Sequence, residues 1–303
     1  MAATWTGESR VLTDAVTVLV GADQGKYPSG NSLVVRGSGE SVIIDPSVSV
    51  VAQGGVSARV DAVLNSHGHE DHIAGNKMFP DARVHMHHAD LPALQSLEGM
   101  LEVQGPGPQE RDLLAQLFVD EFFYTPRPDA HGFSDGDVFD LGGVTVEAVH
   151  LPGHTRGHSG FRISGGVFFL SDIDLSGFGP YYGDTWSDLD QFEASIAAVR
   201  GEEADFYVTF HHKGVIESRE EFLRLLDAFE AAIPRRHAAM LEFLSEPRTI
   251  ADMVRHRFIY RPGAQSVFAD RVEARSAELH LERMRGRGEI EDLADGRVKA
   301  TTV

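Results

Sequence analysis

The chain has 303 residues, 42% hydrophobic and 24% charged, an ordinary globular composition that sets aside disorder, collagen and coiled coil. It contains no cysteine, which excludes disulfides, thiolate nucleophiles and cysteine-based zinc sites. A formal net charge of −19 does not steer the protein to nucleic acid. Residues 1–215 read as short strands between Gly-rich turns. β-Branched and aromatic runs predict strands over 17–20, 32–35, 41–44, 60–64, 84–87, 144–149, 167–170 and 206–210. Two amphipathic stretches around Gly105-Pro106-Gly107-Pro108 predict a helical insertion over 91–132. Helical periodicity marks 188–199, with Asp188 or Asp190 as its cap.

The character changes after Ile216. Helices are predicted over 219–232, 235–244, 249–256 and 265–284, the second opened by Pro234. A hairpin over 286–298, turning at Asp295-Gly296, closes the chain. The expected organisation is a first domain over 1–215 and a helical, winged-helix-like subdomain over 216–303. Charge follows the same division: 12 basic and 30 acidic residues precede 216, and 15 and 16 follow. Bound divalent cations would offset part of the first segment's acidity.

The informative segment is Ser66-His67-Gly68-His69-Glu70-Asp71-His72, directly after a predicted strand. Metal sites need neutral imidazoles and carboxylates brought together, and this loop supplies both. Alternation puts His67 and His69 on one side of an extended turn, with Asp71 and His72 pointing elsewhere, which suits two neighbouring ions better than one. Three more strands run into His150-Leu151-Pro152-Gly153-His154-Thr155, Ser171-Asp172 and His211-His212. Functional groups gathered at one rim of a rigid sheet are what a site needs.

His67-x-His69-x-Asp71-His72, Pro152-Gly153-His154-Thr155, Asp172 and His211, in this order within residues 11–215, resemble the metallo-β-lactamase-fold hydrolase superfamily. The resemblance implies an α+β fold, a four-layer αββα sandwich, and a dinuclear centre. By the same resemblance His67, His69 and His154 would hold one metal. Asp71, His72 and His211 would hold the other, with Asp172 bridging. His212 adjoins His211 and competes with it as last ligand; His211 is favoured because the family's last His usually closes the strand before a Gly-containing loop. The cysteine-ligand class of zinc β-lactamases is excluded, and Ser171-Asp172 stands where Gly-Asp is more usual. The insertion and the C-terminal extension resemble the glyoxalase II-like and human β-lactamase-like-protein-2-like branches.

Two divalent ions roughly 3.5–4 Å apart can share a water and lower its pKa, so that a hydroxide between them attacks a carbonyl or phosphorus. Asp71 and Asp172 are the catalytic candidates that orient this water and move its proton. Zinc is the default metal, and manganese or iron fits the ligand set as well. The leading expectation is hydrolysis of a small ester, thioester or lactone. A phosphodiesterase or nuclease, a mononuclear iron persulfide dioxygenase, and a binding module on an inactive fold are the alternatives. No apolar run approaches the roughly 20 residues of a bilayer span. The start, MAATWTGESR, has no secretory pattern, so a cytoplasmic protein acting on a small molecule is expected, without nucleic-acid or membrane partners. A homodimer is compatible with the extension and with the habit of soluble enzymes.

Overall fold

The computed structural model describes residues 7–57, 59–264 and 266–301. Two sheets form its middle. The first runs β1 (Ser9–Val11), β2 (Val16–Leu19), β3 (Ser32–Arg36), β4 (Ser41–Ile44), β5 (Ala62–Leu64), β6 (Arg83–His87) and β7 (His131–Phe133), each beside the next. The second contains β8 (Val138–Asp140), β9 (Thr145–His150), β10 (Ser159–Ile163), β11 (Val167–Ser171), β12 (Phe206–Thr209) and β13 (Val215–Ile216), again in sequence order. Pairing is antiparallel from β1 to β4 and parallel from β4 to β7. In the second sheet only β11 and β12 are parallel.

Strand alternation builds the layers. Leu33 and Val35 of β3 face the second sheet and join Phe161, Phe169, Val208 and Phe210 in the core between sheets. Val34, between them, joins Ile43 and Val63 on the opposite face. That face is covered by α2 (Val48–Ala52), α3 (Glu70–Ile73), α4 (Leu91–Gln95), α5 (Leu97–Gln104) and α6 (Arg111–Asp120), which follow a distorted turn, α1 (Ala22–Gly25). The far face of the second sheet is covered by α7 (Leu189–Val199) and α8 (Arg219–Glu230), through Phe192, Ile196, Phe222 and Phe229. Asp188, rather than Asp190, caps α7 by accepting the Gln191 N–H at 2.8 Å.

The chain ends with α9 (Ala232–Phe243), α10 (Ile250–His256), α11 (Ala269–Arg287) and the hairpin β14 (Ile290–Asp292) and β15 (Val298–Ala300). Arg248 forms an antiparallel bridge with Val298, so the order is helix, bridge, helix, helix, hairpin, as in a winged helix. Met240, Leu244, Met253, Leu281, Met284 and Val298 give this part its own core. A capping box between Thr249 and Asp252 starts α10.

Some elements differ from expectation. β1, β7, β8, β10 and β13 carry no long apolar run, and their partners make them strands. β7 pairs in parallel with β6, so regular helix in the insertion stops at Asp120. Pro234 lies within the first turn of α9 instead of opening it; its missing N–H is still among those that lack an intrahelical acceptor. The expected start at Gln265 lies outside the described residues, and the helix there spans Ala269–Arg287. A boundary at 215/216 divides α8 from the sheet that it covers.

Phe169 is fully buried between the sheets. Phe169→Ala is expected to cost roughly 3–5 kcal/mol of stability, read as a lower denaturation midpoint with an unchanged m-value.

Candidate metal centre

The carboxyl ends of β4, β5, β9, β11 and β12 lie on one rim of the sandwich. β4 and β5 are parallel, as are β11 and β12, and two antiparallel pairings separate β9 from β11 so that it points the same way. The loops beyond these ends are stitched together: the Ser159 N–H donates to the Ser66 carbonyl at 2.9 Å, and Ser171 Oγ to Ser66 Oγ at 2.7 Å. Asp90 ties the His67–His72 loop to the 152–157 turn, accepting the Gly68 N–H at 3.1 Å, Thr155 Oγ1 at 2.5 Å and the Gly157 N–H at 2.6 Å. His69 stands at the N-cap of α3, so Asp71 and His72 fall in its first turn. Ser171 adopts φ 52°, in the left-handed region, which explains why glycine suits this position. Its hydroxyl bond to Ser66 offsets part of that strain.

The predicted residues converge in two groups, each able to hold a metal ion: His67, His69, His154 and Asp172, and Asp71, His72 and His211. In the first, His69 Nδ1 is 2.9 Å from His67 Nε2 and 3.0 Å from His154 Nε2. Asp172 joins the groups through its two oxygens. Oδ2 lies 3.3 Å from His154 Nε2, and Oδ1 lies 3.1 Å from His72 Nε2 and 3.9 Å from His211 Nε2. His211 Nε2 is 3.0 Å from Asp71 Oδ2. Yet Asp71 Oδ2, His72 Nε2 and Asp172 Oδ1 are buried without a well-formed hydrogen bond. Their donor directions meet at shared points rather than on one another, which is the arrangement that a cation satisfies. His212 belongs to neither group.

Every imidazole has an acceptor on its far side. Asp45 Oδ2 takes His72 Nδ1–H at 2.8 Å, and Asp184 Oδ2 takes His69 Nε2–H at 2.7 Å. Backbone carbonyls of Tyr181 and Gly25 take His154 Nδ1–H at 2.8 Å and His211 Nδ1–H at 2.7 Å. Ser66 Oγ, itself donating to Asp45, lies 3.0 Å from His67 Nδ1. These acceptors fix the tautomers and turn each remaining nitrogen toward the centre. His158 is neutral, pushed down to about 3 by burial and His154; it accepts the Asp172 N–H at 3.2 Å and so holds Asp172.

Protons occupy the centre when metal does not. Burial disfavours charge on His69, but Asp184 outweighs it and raises the pKa to about 9. His211 is likewise raised to about 9, Asp172 and Asp71 overcoming burial. His67 goes the other way, well below the ordinary value, through burial and the charges of His72 and His69. Burial alone would raise Asp172, but His72 and His211 hold it well below the usual carboxylate range.

Sequence reasoning missed Asp45, Asp90 and Asp184, which hold ligand-bearing loops from distant positions. Asp45-Pro46 reads only as a turn signal, and Asp184 sits in no recognisable pattern. His85, His87 and His88 form no such group of three among the described residues: His87 stacks on His150 at 4.0 Å, and His85 lies 5.5 Å from His131. Tyr182 is buried packing, whereas Tyr181 reaches Asp184 through its hydroxyl at 3.2 Å.

The fold is a sandwich of two sheets between helices, with histidine and aspartate donors able to hold metal gathered on one rim. The profile of the metallo-beta-lactamase superfamily matches residues 26–229, and the chain belongs to that family. An uncharacterized protein of Mycobacterium tuberculosis is 35% identical over 155 residues, covering 48% of this chain and 64% of the relative. A hydroxyacylglutathione hydrolase of Aeromonas salmonicida is 26% identical over 153 residues, covering 48% of this chain and 46% of that protein. The chain thus spans under two thirds of the length of either relative. A metallo-beta-lactamase family protein from Thermus thermophilus shares the fold with a TM-score of 0.72 at 18% identity, over 96% of this chain and all of that one. Among the described residues, no helix is long and apolar enough to cross a membrane.

His69 and His211 rise from an ordinary 6.5 to about 9 in the metal-free fold. Their contribution to metal-free stability is therefore full below about 6.5 and fades as pH rises through about 9. A divalent ion must displace these protons. Loading at pH 7 is expected to release protons, seen as a buffer-dependent calorimetric enthalpy, with affinity rising toward pH 9; loading without proton release would contradict the assignment.

Proposed function

We propose that the protein is a two-ion hydrolase of small carboxylic esters, thioesters or lactones. The observation that carries this reading is the pair of donor groups joined by the two oxygens of Asp172. His67, His69 and His154 would hold one ion, Asp71, His72 and His211 the other, and Asp172 both. Zinc is the expected metal, since histidine with carboxylate suits it, and manganese or iron is accepted by the same donors. When bound, such ions lower the pKa of a water and polarise the substrate oxygen. Asp71 and Asp172 would orient that water, and one of them would accept its proton.

The surroundings favour a small acyl substrate. Tyr181 and Tyr27 flank the centre, their hydroxyls held by Asp184 at 3.2 Å and Glu70 at 3.0 Å, and both are kept protonated by burial. Arg271 lies close enough to Tyr181 and Tyr260 to act on their charge. Its Nε and Nη1 are buried without hydrogen bonds, and the nearest carboxylate, Glu110, is 3.7 Å away. A guanidinium with two orphaned nitrogens suits a carboxylate on the substrate.

A nuclease would need a free basic face, and the basic helix α11 offers little. Arg275 donates to the carbonyls of Asp184 and Ser187, Arg283 pairs with Asp190 and Glu193, and Arg285 with Asp292. These side chains are spent on the protein itself.

Elemental analysis of protein purified without added metal is expected to give close to two ions per chain. Asp172→Ala should lower that count and reduce hydrolysis of ester, thioester and lactone panels at least about 100-fold, with an unchanged circular dichroism spectrum. One iron per chain would sink the two-ion reading and redirect the search to sulfur oxidation. Arg271→Met should raise KM roughly tenfold or more for acyl substrates bearing a carboxylate, with kcat nearly unchanged. Equal effects on neutral substrates would remove Arg271 from recognition.

A further inference from the structure

The outer partners of the two donor groups come from different parts of the molecule. Asp45 and the Gly25 carbonyl, which fix His72 and His211, belong to loops of the first sheet. In the first group, His69 and His154 instead depend on one segment, residues 176–187, between β11 and α7. There the Tyr181 carbonyl takes His154 Nδ1–H, Asp184 takes His69 Nε2–H, and Ser187 Oγ donates to the His154 carbonyl at 2.8 Å. No residue of 176–187 is in helix or strand. A segment without its own hydrogen-bond ladder keeps a fixed shape only when its neighbours hold it.

Apart from the Val103 carbonyl, which takes the Thr185 N–H at 3.1 Å, and the core outside the first sheet, which takes Trp186, the neighbours are the C-terminal helices. Buried Arg236 of α9 donates to the Phe178 carbonyl at 2.6 Å and the Pro180 carbonyl at 2.5 Å. Arg275 of α11 donates to the Asp184 carbonyl at 3.3 Å and the Ser187 carbonyl at 3.2 Å. Gly179 and Gly183 pack so closely that a Cβ would come within 2.3 Å of Ala232 and 2.4 Å of Val272. Tyr182 Oη is 3.0 Å from His280 Nε2, His280 Nδ1 is 3.2 Å from His237 Nδ1, and His237 Nε2 is 2.9 Å from Glu289 Oε2. A carboxylate only accepts. With neutral histidines, His237 therefore carries its proton on Nε2, His280 on Nδ1, and Tyr182 donates. Glu289 thus orders the whole chain in one direction.

We propose that the C-terminal subdomain is a clamp that orients His69 and His154 through the 176–187 segment, and so sets the affinity of the first metal position while leaving the second alone. This rests on the two-ion reading. Partners of this kind are worth about 10–100-fold in metal affinity. Tyr182→Phe removes one oxygen and Arg275→Met a partly exposed guanidinium, so both variants, and their double, should fold.

The test is a cadmium titration of the full chain followed by cadmium NMR, which separates a three-nitrogen position from one with two nitrogens and added carboxylate oxygen. In the double variant the first position is expected to weaken roughly tenfold or more, and the second to stay unchanged. Equal weakening of both positions, loss at the second alone, or no change would each overturn the clamp. Imidazole nitrogen spectra of the metal-free protein give a separate reading. The hydrogen bonds from His69 Nε2–H and His154 Nδ1–H, read from their nitrogen and proton shifts, should weaken in the double variant while those from His72 and His211 Nδ1–H stay; unchanged spectra would overturn the clamp. A wild-type chain that takes fewer than two ions fails the two-ion reading, and the spectra then decide the clamp by themselves.

Discussion

Five imidazoles and two carboxylates point inward at one rim of the sandwich, and the rest of the design follows from keeping them there. Imidazole lone pairs about 3 Å apart, like those of His67, His69 and His154, repel unless a proton or a metal lies between them. The fold keeps them opposed by tying down the other side of each ring. Asp45, Asp184, Ser66 and two backbone carbonyls do this, and each is anchored in turn. Asp172, a member of the first group, reaches the second through its other oxygen, and its own backbone is held by His158.

This arrangement explains why β4 pairs in parallel with β5, and β11 with β12. Only parallel neighbours bring successive carboxyl ends to the same rim, as β4 with β5 and β11 with β12 do. It also explains why residues with left-handed backbone gather here. Asp45, Ser171 and His212 all have positive φ without being glycine. Such positions persist where surrounding bonds over-determine them, and Asp45 and Ser171 are among the most heavily bonded residues of the centre.

The C-terminal part has two roles in one packing. Its own core, around Met240, Met253 and Leu281, makes it a distinct unit. Its inward face is nevertheless committed to the sandwich body, through Arg236, Arg275, His280 and Arg283. The third helix of this winged-helix order, α11, is turned inward over much of its length. Glu273, almost fully buried, accepts the N–H groups of Phe258, Ile259 and Tyr260 and so fixes the loop that brings Tyr260 toward the centre.

The sequence by itself determined the donor set and the fold family. Histidine and aspartate in the His67–His72 loop and after three later strands are legible because chemistry restricts which residue types can bind metal and because strand ends are visible as apolar runs. It also determined the layers, since alternation in strands such as Ser32–Arg36 assigns one face to each core. Short strands such as His131–Phe133 and Val138–Asp140 were illegible, because pairing with neighbours rather than residue preference makes them strands. Between His211 and His212 only the tertiary structure decides, by bringing His211 Nε2 to Asp71 while His212 adopts a left-handed turn. Asp45, Asp184 and the hold of α9 and α11 on residues 176–187 were also decided there. A hydrogen bond between residues 115 positions apart, as from His69 to Asp184, leaves no local pattern in the chain.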